Sequence, residues 1–120
     1  MKVLTVNRDE ALSNFLLRIL RSKYVDIEIL QTNDIGEALK LLDSHRFDWV
    51  ITEMLMPGGS KTAVIEKAVA KKMPFVNIIV IPLGTTLYYE AEDFLKEKGW
   101  EGIHLIKGIN IAQPILDIIQ

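Results

Sequence analysis

The sequence predicts a doubly wound α/β domain, a (βα)5 three-layer sandwich with a central parallel sheet and helices on both faces. Three observations predict it. Short apolar runs alternate with segments of helical periodicity five times along the 120 residues. Two of the runs, Trp49 to Thr52 and Val76 to Ile81, show almost no polar alternation, which marks strands buried on both faces. Each interval between runs is long enough for a crossover helix, which joins parallel neighbours with right-handed connections.

Val3 to Val6 is the first expected strand. Asp9 or a neighbour caps a helix whose Leu12, Phe15, Leu16, Ile19 and Leu20 recur at helical spacing. Ile27 to Leu30 forms strand two. Asp34 to Leu42 forms helix two, with Ile35, Ala38, Leu39 and Leu42 on one face. Strand three is Trp49 to Thr52. Helix three is expected over Lys61 to Lys72, opened by a Ser60 cap and stopped before Pro74, because a residue preceding proline leaves the helical region. Strand four is Val76 to Ile81. Helix four runs from Tyr88 to Lys98, with Gly99 as its C-cap. Ile103 to Ile106 is a short fifth strand. Asn110 is expected to cap helix five, and Pro114 is tolerable in or near its first turn.

With 49% hydrophobic residues, the chain has enough apolar material for one compact domain spanning residues 1–120. Fourteen basic residues against sixteen acidic ones give a net charge of −2, which argues against direct nucleic-acid contact. The absence of cysteine excludes disulfides, thiolate metal sites and cysteine nucleophiles. The longest uninterrupted apolar stretch, Ile78 to Leu83, is too short to span a bilayer. The N-terminus enters a strand without a cleavable signal, so a cytoplasmic location is expected.

The most informative stretch is Asp48-Trp49-Val50-Ile51-Thr52-Glu53-Met54-Leu55-Met56-Pro57-Gly58-Gly59. Its buried strand ends on one carboxylate, Glu53, and ligands of open α/β sheets sit at such carboxyl ends. The stretch resembles the phosphoacceptor segment of two-component receiver domains: an Asp, a branched apolar strand, the acceptor Asp, and Met-Pro three residues on. Here the acceptor position holds Glu53. Asn33-Asp34-Ile35-Gly36-Glu37-Ala38-Leu39 is similar to the family's N-G-x-E-A-L helix start, and Lys96 to Gly99 resembles the end of its fourth helix. The resemblance covers essentially the whole chain. It implies a flavodoxin-like sheet of order 2-1-3-4-5 and a role as a receiver in response-regulator signalling.

The family's active site needs two acids after strand one to hold Mg²⁺, an Asp nucleophile, a Thr or Ser after strand four and a Lys after strand five. Magnesium wants hard oxygen ligands, and it neutralises charge on a transferring phosphoryl group. In the register set by helix one, Asn7 and Arg8 occupy the acid pair. Pro82 and Leu83 stand where the hydroxyl belongs. Lys107 matches the family lysine, followed by Gly108 instead of proline, and Lys61 replaces a loop glycine. The resemblance therefore implies a degenerate pseudo-receiver, not an enzyme, for which Mg²⁺ binding is not expected. Glu53 would be a fixed anion held by Arg8 and Lys107, since Arg suits bidentate carboxylate contact.

Other residues admit plainer explanations. Asp9 and Glu10 read as a helix cap and a first-turn acid favoured by the helix dipole. His45 and His104 have no partner at metal-ligand spacing, and His104 is expected to face outward. Gly58-Gly59-Ser60-Lys61-Thr62 lacks the spacing of a phosphate-binding loop. Tyr88, Tyr89, Phe94 and Trp100 gather around helix four. Tyr88, Tyr89, Trp100 and His104 are candidate interface residues, because receivers bind partners through the face of helix 4, strand 5 and helix 5. Either a protein partner or a second copy is expected there, with a histidine kinase or a fused DNA-binding output domain as candidates. Two rivals stand beside this: a divergent phosphoacceptor using Glu53, Asp9, Glu10 and Thr85 or Thr86, and a small flavodoxin-like enzyme or nucleotide-binding protein.

Overall fold

The computed structural model describes residues 1–54, 60, 62–71, 77–82, 84–107 and 110–119. In chain order the elements are β1 (Lys2–Val6), α1 (Glu10–Lys23), β2 (Glu28–Thr32), α2 (Ile35–Ser44) and β3 (Trp49–Glu53). They continue as α3 (Ala63–Ala70), β4 (Asn77–Ile81), α4 (Thr85–Lys98), β5 (Ile103–Leu105) and α5 (Ala112–Ile118). All strand pairs are parallel, in the expected order β2-β1-β3-β4-β5.

Alternation along the strands sends side chains into two separate cores. Leu4, Val6, Val50, Ile78 and Val80 pack with Ile35, Ala38 and Leu42 of α2, Val64, Ile65 and Ala68 of α3 and Ala91 of α4. Val3, Ile51, Ile79 and Ile81 face the other way, against Leu16 and Leu20 of α1 and Ile115 of α5. Burying each of these Val, Leu and Ile side chains is worth roughly 1.5–3 kcal/mol. The central strands β1, β3 and β4 therefore read as apolar runs because both of their faces are covered.

The helix ends follow local chemistry where a good capping residue is present. Asp9 Oδ1 accepts from the Ala11 N–H, and Asp34 Oδ2 accepts from the Glu37 N–H, both at 2.9 Å. Gly99 closes α4 in the left-handed region, at φ 64°, with its N–H donating to the Leu95 carbonyl. On the surface, Asp43 of α2 pairs with Lys67 at 2.9 Å and with Lys71 at 2.6 Å, tying α2 to α3. The hydrogen bonds of Lys71 and Lys67 hold the Asp43 carboxyl below its ordinary value.

Several boundaries differ from expectation. Helix four starts at Thr85, one turn earlier than Tyr88: Gly84, at φ 153°, breaks the chain there, and half-buried Leu87 extends the apolar face. Asn110 does not cap α5. Ile111 holds that position because its side chain is buried in the α1–α5 core, so packing decides the start. Ser60 offers α3 no side-chain cap; its carbonyl accepts from the Ala63 N–H, and Thr62 stands in the cap position. Phe15 lies at the rim of the α1 stripe, 40% exposed. The expected helix limits Lys61 and Lys72 and the strand limit Val76 lie outside the described residues.

Candidate functional site

Glu53 is the last residue of β3 and one of the few buried polar residues, at 3% exposure. The register pairs Thr5 with Ile51 and Val6 with Thr52, so continuing it places Asn7 beside Glu53. Adjacent strands lie about 4.8 Å apart. The Asn7 N–H still donates to the Thr32 carbonyl, which extends the β1–β2 ladder through this position. Strand alternation carries Thr5, Asn7, Ile51 and Glu53 to the α1–α5 face. On the other side of β3, Glu53 pairs in register with Ile81, and buried Pro82 follows directly.

Little satisfies the polar atoms here. Glu53 Oε1 accepts a 2.5 Å hydrogen bond from the main-chain N–H of Arg8. Glu53 Oε2 is buried without a hydrogen-bond partner among the described residues. So are both amide atoms of Asn7, itself 1% exposed, and the Thr5 hydroxyl. Burial pushes the Glu53 carboxyl above its ordinary value of 4.5. The Arg8 N–H and the Arg8 charge pull it back, and the Asp9 charge pushes it up again. Two or three N–H donors would hold a carboxylate in its charged form, and among the described residues this one has a single N–H.

The structure brings together only part of the expected Arg8–Glu53–Lys107 cluster. Arg8 meets Glu53 through its backbone, while its side chain is exposed and forms no ion pair with Glu53. Lys107 is exposed, and its Nζ lies 5.8 Å from the centre of the Tyr88 ring. The electron-rich ring face attracts the ammonium without removing it from water, whereas Glu53 is sealed inside. Among the described residues, no ion pair reaches Glu53. The main-chain donor leaves no signature in the identity of residue 8. Thr5 was legible only as a single hydroxyl within an apolar strand.

The remaining candidates are dispersed. Asp9 serves the start of α1, and Glu10 is exposed in its first turn. Thr85 and Thr86 are exposed in the first turn of α4. Tyr88 and Tyr89 stack edge to face at 5.5 Å, and Tyr89 is 56% exposed. Trp100 packs edge-on against Phe94 at 5.7 Å, with Lys98 near both rings. His104 is exposed on the edge strand β5, its ring 6.0 Å from that of Trp49. The described residues contain no group of three His, Cys, Asp or Glu side chains arranged to hold a metal ion. None of their helices is long and apolar enough to cross a membrane. Leu55 to Gly59, Lys61, Leu83 and Gly108 lie outside the described residues.

Neither the protein-family models nor the curated proteins give a sequence match. Solved structures do match. A CheY-like response regulator receiver domain from Methanospirillum hungatei JF-1 is similar with a TM-score of 0.77 and 23% identity, covering 98% of this chain and 89% of that one. The chemotaxis protein CheY4 of Vibrio cholerae gives 0.76 and 22%, covering 99% and 95%. The response regulator TrrA of Thermotoga maritima, solved in complex with Mg(2+)-BeF, gives 0.72 and 22%, covering 98% and 97%. The chain has the flavodoxin-like fold of CheY-like receiver domains.

Proposed function

We propose that this chain is a receiver-like domain of two-component-type signalling that works without accepting phosphate, as a protein–protein interaction module and not as an enzyme. The observation that carries this is the state of Glu53: 3% exposed, with Oε1 occupied by the Arg8 N–H. Phosphoryl transfer requires an accessible nucleophilic oxygen and cations that neutralise developing charge. The donor set also does not fit Mg²⁺, which seeks several hard oxygen ligands. Beside Glu53 stand an amide, Asn7, and a permanent cation, Arg8, while Asp9 is engaged at the start of α1.

The face of α4, β5 and α5 offers Tyr88, Tyr89, Trp100 and His104 to a protein partner or a second copy. Aromatic anchors of this kind are enriched at interfaces. A histidine kinase or a DNA-binding output domain fits this surface, and the net charge of −2 argues against direct contact with nucleic acid. The compartment that suits such a module is the cytoplasm.

Incubation with acetyl phosphate and Mg²⁺, followed by intact-mass spectrometry, tests the reading. No phosphoryl adduct is expected. An adduct that disappears in Glu53→Gln would instead establish a divergent phosphoacceptor.

A further inference from the structure

We propose that Glu53 is a proton-binding site, and that loss of its proton draws the Arg8 side chain out of solvent onto the carboxyl end of β3. This deepens the reading of Glu53 as a residue that takes no phosphate. The fixed charge expected from the sequence becomes one set by pH.

The geometry favours a neutral carboxyl. One oxygen of Glu53 has a single N–H donor and the other has none among the described residues. Isolated charge in such a place is costly, and a buried acid commonly keeps its proton instead. A protonated Oε2 becomes a donor. The same face holds unpartnered acceptors, Asn7 Oδ1 and Thr5 Oγ1, beside unpartnered donors, Asn7 Nδ2 and the Thr5 hydroxyl. After a side-chain rotation within this pocket the neutral acid can both donate to an acceptor such as Asn7 Oδ1 and accept from these donors. A carboxylate can only accept, and leaves Asn7 Oδ1 without a donor.

The surrounding charges identify the responding group. Arg8 and Asp9, on the turn between β1 and α1, are the described residues whose charges act on Glu53. From β4 come Ile81 and Pro82, which do not titrate. The α1 and α5 helices cover this face with Leu16 and Ile115, and Glu10 is exposed at the start of α1. Lys107, beyond β5, is directed at Tyr88, and Lys61 lies outside the described residues. Arg8 therefore stands ready as the counter-charge. Its backbone is already bonded to Glu53, and its guanidinium has no ion pair among the described residues. Once the proton leaves for bulk solvent, a guanidinium folding back gives Oε2 the donor it lacks. The two states present different charge and shape at the strand ends.

The full chain, without phosphodonor and with a chelator of divalent cations, is titrated by NMR between about pH 4 and pH 9, the range where raised carboxyl groups titrate. The Glu53 Cδ resonance is expected to titrate with a midpoint above 4.5, and the Arg8 Nε resonance to move with the same midpoint. Glu53→Gln should leave Arg8 Nε flat, and Arg8→Met should raise the Glu53 midpoint further. A Glu53 midpoint at or below 4.5, or an Arg8 resonance that stays flat in the unmodified chain or moves unchanged in Glu53→Gln, overturns the proposal. If Glu53→Gln does not fold, the unmodified chain and Arg8→Met decide it. A phosphoryl adduct in the acetyl phosphate experiment refutes the non-phosphorylated reading and leaves this titration interpretable by itself.

Discussion

At the amino ends of β1 and β3 the polar groups are paired with one another. The Lys2 N–H donates to Asp48 Oδ2, the Asp48 N–H donates to the Lys2 carbonyl, and Lys2 Nζ lies 2.7 Å from His45 Nδ1. The same ammonium is 3.8 Å from Glu28 and lies over the Phe47 ring. At the carboxyl ends of the same two strands, Asn7 and Glu53 are more deeply buried, and among the described residues their side chains make one hydrogen bond, from the Arg8 N–H to Glu53. Folding alone explains the amino ends, where each contact helps hold register. It does not explain polar side chains kept buried with atoms unpaired. Departures from polar satisfaction concentrate where a protein works, and in open α/β sheets that is the carboxyl edge.

Substitutions can break or sharpen this contrast. The largest effect is expected at Ile51, fully buried between the two ends: Ile51→Ala should cost about 2–5 kcal/mol in urea unfolding. A cost below about 1 kcal/mol would mean that the two ends do not share one packed strand pair.

Glu53→Gln comes next and has a sign that depends on pH. A carboxyl raised above 4.5 in the folded chain keeps a proton that the unfolded chain has released. Stability therefore falls as pH rises from 4.5 through the raised value, and the penalty is complete above it. Glu53→Gln should gain roughly 1–3 kcal/mol at about pH 8, because the desolvation of the buried carboxylate outweighs what Arg8 returns, and nothing below 4.5. Equal urea midpoints for the two proteins at about pH 8 would erase the contrast between the strand ends.

The paired edge should respond less and in the opposite direction. Asp48→Ala removes an acceptor from the Lys2 N–H and is expected to lose about 1 kcal/mol in thermal melts near neutral pH. Smallest is Lys2→Met, expected to lose roughly 0.2–1 kcal/mol, with the loss shrinking in high salt because the contacts of the ammonium are screened there. A salt-independent loss would assign the role of Lys2 to its packing on Phe47.

The parts of the fold legible in the sequence are those set by neighbours along the chain. Asp9, Asp34 and Gly99 act on backbone groups within a few residues, so their roles follow from identity and spacing. Strands β1, β3 and β4 stand out because double-sided burial leaves almost no polar alternation. Where packing outweighed local preference, expectation missed. Ile111 opens α5 in place of Asn110 because it fills the α1–α5 core, and Gly84 with Leu87 starts α4 a turn early. The position of Glu53 at a strand end was equally legible, but not its surroundings. Arg8 approaches through a main-chain N–H common to nearly all residue types, and Lys107 turns to Tyr88, a partner set by how α4 meets β5.

The sequence by itself determined the alternation of strands and helices, and through it the parallel sheet and the placing of Glu53, Asn7 and Arg8 at its carboxyl edge. These follow from periodicity and local stereochemistry, which act over a turn or a strand. Only the tertiary structure decided that Glu53 is sealed from solvent, bonded to the backbone N–H of Arg8 and without an ion pair to Lys107. Such facts depend on desolvation and on distances between residues far apart in the chain, which no local pattern of residue types encodes.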